Sequence, residues 1–518
     1  LKPTPPHLLL IVLDTLRRDR LGAYGALRSG ASVSPVFDQF AAEGTRYARA
    51  VAPAQWTVPA HASLFTGRYP SEHGVTQSSS RLSETIPTAA EHLRAAGYHT
   101  VAFCNNPLVG VLEHGLQRGF DHFFNYASAV PYTPRDLVRS GPRRAFSRWF
   151  RPHARRIGNQ FAQSDTMFRL ALQPLFVPVW SKYINFKGNT AASLADLAAY
   201  LTGPARRDGR PWFAFVNLMS AHLPYQPPQT FLDRIDPALR RDKAAFAFMR
   251  RFNADGAAWA SPPEPPLSPW ERDILLAFYD AEIAFQDEQL ALLFNSLRAA
   301  DLLAQTTTVI LADHGEGHGE HDLFGHGFSA YGELVHVPMA VQGERFGRGI
   351  VVDTPVSTRR IFHTLLDLAG ASDHDATDDP AIAALSLAAP RAEAAEPAAL
   401  SESFAVNTFL HVLEHRNPSV IARMRLRETR RAVYAGEHKL LVRETAGHTT
   451  TEALFDTAAD PAETRDLLTR QPATVDALMG CLNVLMAAHA AAAPMATTAA
   501  PADDPRVLEN LRALGYIE

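Results

Sequence analysis

LLLIVLDT, residues 8–15, joins an unbroken apolar run, Leu8 to Leu13, to an acid, Asp14. An apolar run without alternation marks a strand buried on both faces, the kind found in parallel sheets covered by helices. TTTVILADHGEGHGEH, residues 306–321, repeats the arrangement, with a strand over 306–312 that ends in Asp313-His314-Gly315-Glu316. PWFAFVNL, residues 211–218, is a third such strand, and the stretch from Asn217 through His222 carries polar residues at its end. Between them the pattern predicts a short helix over 35–44, with Val36, Phe37 and Phe40 inward and Gly44 as its stop. It also predicts a helix over 86–97 with Thr88 as cap, a strand over 99–104, a long amphipathic helix over 273–297 and a strand over 335–341. Alternation of this kind over roughly 360 residues predicts an α/β fold, an α/β/α sandwich with a mostly parallel central sheet.

Past Gly370 the composition changes. Residues 373–397 are rich in Ala, Asp, Glu and Pro and are expected to be a loosely packed linker. Residues 431–444 and 449–455 read as an antiparallel pair, and the chain after them as helix, with an Ala/Thr/Pro surface loop over 490–501. The expected organisation is a catalytic domain over 1–372 with a basic insert about 130–190, a linker over 373–398, and a small C-terminal α+β subdomain over 399–518 with an antiparallel sheet.

Of 518 residues, 46% are apolar and 20% charged, which excludes a disordered, collagen-like or simple coiled-coil chain. Fifty Lys and Arg against 54 Asp and Glu give −4, so no nucleic acid is expected as partner. Cys104 and Cys481 are too few for a disulfide framework or a four-cysteine zinc site, and they leave the redox compartment open. No run reaches the ~18 apolar residues of a membrane span. The start at Leu1 rather than Met fits a leader or anchor trimmed ahead of it, so the location stays open between an extracytoplasmic compartment and the cytoplasm.

Three predicted strands end in reactive polar residues, and in an open parallel sheet the site lies beyond the carboxyl ends of the strands. Asp14 is a helix cap or a metal ligand. Asp313 to Gly327 is built mostly of His, acids and Gly, a poor core and a poor helix. Its carboxylate and imidazole groups suit a divalent cation. In TVPAHASLFTGR, residues 57–68, Pro59 fits the first turn of a helix. Thr57 is then expected just ahead of that helix, at free N–H groups that favour an anion, unless it is a plain cap.

This last segment resembles the sulfatase signature, Cys or Ser followed by x-Pro-Ser-Arg and later Leu-Thr-Gly-Arg. Thr57 falls on the nucleophile, Pro59 on the Pro, Ala60 on the Ser, His61 on the Arg, and Thr66-Gly67-Arg68 on Thr-Gly-Arg. Asp14 and Asp313-His314 fall on metal ligands, and His222 on the central active-site His. Residues 35–44, 454–463 and 511–516 resemble further family motifs. The resemblance spans nearly the whole chain and places it in the alkaline phosphatase/sulfatase superfamily.

The departures direct the functional reading. Sulfatases oxidise their Cys or Ser to formylglycine. Thr57 bears a methyl on Cβ and cannot give that aldehyde, so no formylglycine is expected. The resemblance then points to the branches with an unmodified Thr, which include phosphodiesterases and phosphonate monoester hydrolases. It implies one divalent ion on Asp14, Thr57, Asp313 and His314, with Mn²⁺ favoured and Zn²⁺, Mg²⁺ or Ca²⁺ compatible with the same mixed ligands, and His318, His321 and His326 keep a second ion open as the alternative. The expected mechanism is attack by Thr57, a phospho-threonine intermediate, and proton donation to the leaving group by His222 or His326, the latter where the family often holds Lys. His61 would position Thr57 or touch the transferring group. Asn105, Asn106, His318 and His321 are substrate-side candidates. Turn-forming asparagines and supporting or exposed histidines are the plain alternatives, as a loop histidine is for His222.

Arg135 to Arg156 holds eight arginines against Asp136, with Phe146, Trp149 and Phe150 interleaved. It reads as a solvated lid, a clamp for an anionic substrate, or a peripheral membrane contact. The substrate expected is a small or lipid-like anionic ester. The competing functions are a phosphoglycerol- or phosphoethanolamine-type transferase, a sulfuric ester hydrolase without formylglycine, and a non-catalytic anion-binding protein. The oligomeric state is left open.

Overall fold

The computed structural model describes residues 5–127, 131–138, 149, 175, 186–260, 264–371, 380–389, 396, 398–445 and 447–491. β1 (His7–Leu13) lies inside a nine-stranded sheet, its residues Leu8 to Leu13 all buried. It pairs in parallel with β5 (Trp212–Leu218), Leu8 opposite Phe213, and with β6 (Thr306–Leu311), Leu8 opposite Thr307. Full burial of such a side chain is worth about 1.5–3 kcal/mol, which is why the strand carries no polar face.

On one side of this centre follow β3 (His99–Cys104) and β4 (His122–Asn125), and on the other β9 (His336–Gln342), β2 (Thr45–Val51) and β10 (Ile350–Val352). β11 (Val356–Ser357) also pairs with β2. Among the described residues only β9 runs against its neighbours in this sheet, β2 and β6, so β1, β2, β5 and β6 all point one way. Their carboxyl ends share one edge of the sheet, and there the chain delivers Asp14, Thr57, Asn217 and Asp313. A short ribbon of β7 (Gly317–His318) and β8 (Phe324–Gly325) folds the glycine-rich stretch back on itself.

The long helix spans Pro269–Ala299, starting four residues before the expected point because Ser268 and Glu271 form a capping box with Pro269 at the first position. The helix Pro35–Glu43 buries Phe37 and Phe40 and leaves Val36 half-buried. The helix Thr57–Thr66 includes Thr57 in its first turn, with Trp56 as cap, so Thr57 is not ahead of the helix as expected. Pro59 still costs nothing, because first-turn N–H groups have no helical partner anyway. Every residue of this helix is buried.

A four-stranded antiparallel sheet follows, β12 (Ala399–Ser403), β13 (Thr429–Ala435), β14 (His438–Thr445) and β15 (His448–Asp456). The stretch 431–444 is therefore two strands and not one. Gly436, at φ 56°, opens a two-residue turn, Gly436-Glu437, between them. The helix Pro472–Ala491 packs Leu478 and Leu482 on this sheet. Glu402 N donates to Pro53 O at 2.8 Å, and buried Lys439 donates to Glu463 at 2.6 Å, while Glu463 also accepts from Gly332 N. These contacts seat the small sheet on the main body. Within 373–398 the described part includes a helix, Pro380–Leu385, whose Leu385 O accepts from Arg360 Nε. Most of Arg135 to Arg156, nearly all of 490–501, and 511–516 lie outside the described residues. Among the described residues no helix is long and apolar enough to cross a membrane.

Candidate functional site

Asp14, Asp313 and His314 are fully buried and bring three ligand atoms within 4.8 Å of one another. His314 Nδ1 donates to Gly315 O at 2.9 Å, which leaves the lone pair on Nε2. That nitrogen stands 3.8 Å from Asp14 Oδ1, 3.5 Å from Asp313 Oδ2 and 3.2 Å from Thr57 Oγ1. The sequence-predicted set Asp14, Thr57, Asp313 and His314 is thus brought together around one point.

The remaining carboxylate oxygens are held from behind. Asn106 Nδ2 and Asn217 Nδ2 donate to Asp14 Oδ2 at 2.5 and 3.5 Å. His314 N and Thr15 N donate to Asp313 Oδ1 at 2.9 and 3.4 Å. Among the described residues Asp14 Oδ1 and Asp313 Oδ2 have no hydrogen-bond donor, since His61 Nδ1, 3.4 Å from Asp313 Oδ2, is engaged by Thr57 O. Burial pushes both carboxyl groups up from their ordinary range, and for Asp313 the neighbouring Asp14 adds to the effect. Two donorless oxygens and an imidazole nitrogen whose lone pair is met only by the Thr57 hydroxyl, all buried and convergent, fit a divalent cation by the chemistry of the donor set. Asp14, Asp313 and His314 would hold it, with Thr57 Oγ alongside.

His61 is buried beneath this cluster. Its Nδ1 donates to Thr57 O at 2.9 Å and its Nε2 accepts from Asn217 Nδ2 at 3.2 Å, while burial pushes its pKa down. A neutral ring with both nitrogens engaged positions the first turn of the helix. Neither nitrogen is left for a transferring group.

His222 and His326 flank the cluster on its more open side, both half-buried, their rings 5.4 Å apart. The His326 ring lies 4.6 Å from that of His314. His222 Nδ1 donates to Leu223 O at 2.6 Å, and burial lowers its pKa to about 4. His326 Nδ1 donates to Glu316 Oε1 at 2.9 Å, and that carboxylate raises its pKa against the effect of burial. Each keeps Nε2 available.

The substrate-side candidates are placed otherwise. Asn106 supports Asp14 and caps a short helix, Pro107–Gly110. Asn105 is buried, with Nδ2 3.5 Å from Thr190 Oγ1 and Oδ1 without a donor. His318 is turned into the core, where it bonds Tyr225 Oη at 2.8 Å and Arg17 at 3.2 Å. His321 stacks on Tyr331 at 3.7 Å, and the structure does not bring it to the cluster. Asn217 and Glu316 are partners whose roles sequence reasoning missed. A lone Asn in the buried strand WFAFVNL was the available signal for the first. Lys187, missed altogether, donates to Ser220 O, Pro224 O and Glu282 beside His222, where nothing local in the sequence marks it.

The family model described as Sulfatase matches residues 6–371. An ulvan-active sulfatase of Formosa agariphila is 26% identical over 373 residues, 71% of this chain and 62% of that one. A choline-sulfatase of Rhizobium meliloti is 24% identical over 379 residues, 71% of this chain and 68% of that one. The crystal structure of a phosphonate monoester hydrolase of Agrobacterium radiobacter superposes with a TM-score of 0.59 at 20% identity, covering 93% of this chain and 96% of that one.

Proposed function

The chain belongs to the sulfatase family and is a hydrolase of that superfamily, and from this we propose that it cleaves phosphodiesters or phosphonate monoesters with Thr57 as nucleophile. One observation carries the reading: an unmodified threonine hydroxyl stands 3.2 Å from the His314 nitrogen that faces the donorless oxygens of Asp14 and Asp313. The phosphonate monoester hydrolase among the structural neighbours supports it as an analogy of fold.

A divalent cation in this cradle supplies positive charge that lowers the pKa of an adjacent alcohol and draws electron density from the ester. Mn²⁺ is the ion we favour. His61 holds the Thr57 carbonyl and so fixes the direction of Oγ. The Thr57 Oγ proton passes to water on the half-open side, and the Oγ–phosphorus bond forms as the bond to the leaving oxygen breaks. Nε2 of His326, whose cationic form Glu316 favours, delivers a proton to that oxygen, a contribution typically worth about 10²–10⁴-fold, while neutral His222 presents an acceptor at Nε2. Water entering on the half-open side then releases the group from Thr57.

The test is a comparison of an aryl sulfate, a phosphate monoester, a phosphodiester and a phosphonate monoester on Mn²⁺-loaded protein. The diester or phosphonate is expected to turn over fastest. Thr57→Ala is expected to lose activity by about 10³-fold or more, and mass spectrometry of a trapped sample should find the added mass on the Thr57 peptide. Full activity in Thr57→Ala removes the nucleophile assignment. Faster turnover of the aryl sulfate would favour a second reading, a sulfuric ester hydrolase, which the ulvan-active and choline sulfatases among the relatives support.

A further inference from the structure

β1 does not simply end at Leu13. Asp14 N still donates to Leu218 O at 2.9 Å, so Asp14 keeps the register of the sheet and the chain turns at the next residue. Thr15 has φ 56°, in the left-handed region that a β-branched side chain rarely enters. This one turn bears on both carboxylates. Asp14 precedes it directly, and the Thr15 N–H reaches Asp313 Oδ1, which leaves Asp313 Oδ2 on the side of His314. The Thr15 hydroxyl donates back to Asp14 O at 2.7 Å and ties the turn only to itself.

The tie to the rest of the molecule comes from the long helix. The buried Tyr279 hydroxyl donates to Thr15 O at 2.7 Å and accepts from Arg17 N at 2.8 Å. One oxygen thereby spans the strained residue, gripping its carbonyl and the N–H two residues on. The ring itself is fixed independently, 5.3 Å from Tyr225 and 4.9 Å from His318. The next helix residue, Asp280, is held by Arg20 and Arg28.

We propose that Tyr279 is a positioning residue for the cation site: its hydroxyl keeps Thr15 left-handed and so aims Asp14 and Asp313 at a divalent ion. This rests on the reading of Asp14, Asp313 and His314 as that site. Partners of this kind, which orient ligands without touching the ion, typically change metal affinity by about 10–100-fold.

The experiment is calorimetric titration of MnCl₂ into metal-stripped protein, with no substrate present. Tyr279→Phe removes one oxygen and should weaken Mn²⁺ binding at least about tenfold. Tyr98→Phe is the control, because it deletes another buried hydroxyl, one bonded to Pro6 O at the opposite end of β1. It should leave the affinity unchanged. Glycine enters the left-handed region freely, so in a Thr15→Gly chain the same Tyr279→Phe change should cost less than about threefold. Wild-type affinity in Tyr279→Phe overturns the proposal, and so does an equal loss with and without the Thr15→Gly change. If Tyr279→Phe alone does not fold, the comparison within the Thr15→Gly background decides: a loss there of about tenfold or more overturns the proposal. A wild-type chain that binds no Mn²⁺ would sink the cation-site reading and this proposal together. Wild-type binding that is indifferent to Tyr279 sinks only the latter.

Discussion

Asp14 and Asp313 show at the residue scale what the site costs. Two buried carboxyl groups, each with an oxygen that no donor reaches, stand on either side of one imidazole. Without a cation that is an unfavourable arrangement, since burial and like charge both oppose ionisation. Asp313→Asn is therefore expected to raise the melting temperature of the metal-stripped protein by a few degrees, on the order of 1 kcal/mol. The same variant should lose the rise in melting temperature that Mn²⁺ gives the wild type. Differential scanning calorimetry with and without Mn²⁺ checks both. An apo variant less stable than the wild type would mean that the carboxylate is held by something other than a cation. Asp14, Asp313, His314 and Thr57 were legible because each ends a strand or opens a helix in a motif of unusual composition. Asn217 and Glu316 were not, because a hydrogen bond between distant segments leaves no local pattern.

At the scale of elements, the helix Pro35–Glu43 shows capping from a distance. Its own cap residue, Ser34, makes no capping bond, and the carboxylate of Asp287 in the long helix accepts from Val36 N and Phe37 N, both at 2.8 Å. The side chain thus satisfies two of the free first-turn N–H groups and joins two elements about 250 residues apart in sequence. Asp287→Ala should destabilise the protein by about 1–2 kcal/mol. Urea unfolding followed by circular dichroism would read this as a lower midpoint at unchanged slope. A loss below ~0.5 kcal/mol would show that water replaces the cap at no cost. The hairpin at Gly436 is the converse case, an element boundary visible only once strand pairing is known. Read across Gly436-Glu437 without a break, the stretch is one long strand, and the register, Ala435 opposite His438, shows two.

For the whole molecule, buried neutral histidines set the acid limit. Burial lowers His73, His336 and His363 to about 3 and His7 to about 4. His73 Nδ1 accepts from Val75 N at 3.0 Å, a bond that protonation would break. The unfolded chain takes up a proton at each of these positions near pH 6.5, whereas the folded chain does so only near pH 3–4. Stability is then fully present above about pH 6.5 and declines as pH falls toward about 3, by about 1.4 kcal/mol per pH unit for each of the buried groups His73, His336 and His363 and by less for the half-buried, solvent-screened His7. Melting temperatures in EDTA should stay level from about pH 7.5 to 6.5 and then fall steadily to about pH 4.5. His363→Phe should flatten the decline by one proton, and a flat wild-type profile would refute the scheme.

Local pattern determined β1, β3, β5, β6 and β9, the long helix, the α/β class and the residue types able to do chemistry, because apolar period and turn chemistry are properties of neighbours along the chain. Only the tertiary structure decided that β9 runs against the sheet, that His318 faces the core and His321 leaves the cluster, and that His61 works behind Thr57. It also supplied the grip of Tyr279 on the Thr15 turn. These depend on which distant groups meet when the parallel strands end at one edge, and no short stretch of sequence encodes a meeting between its residues and others hundreds of positions away.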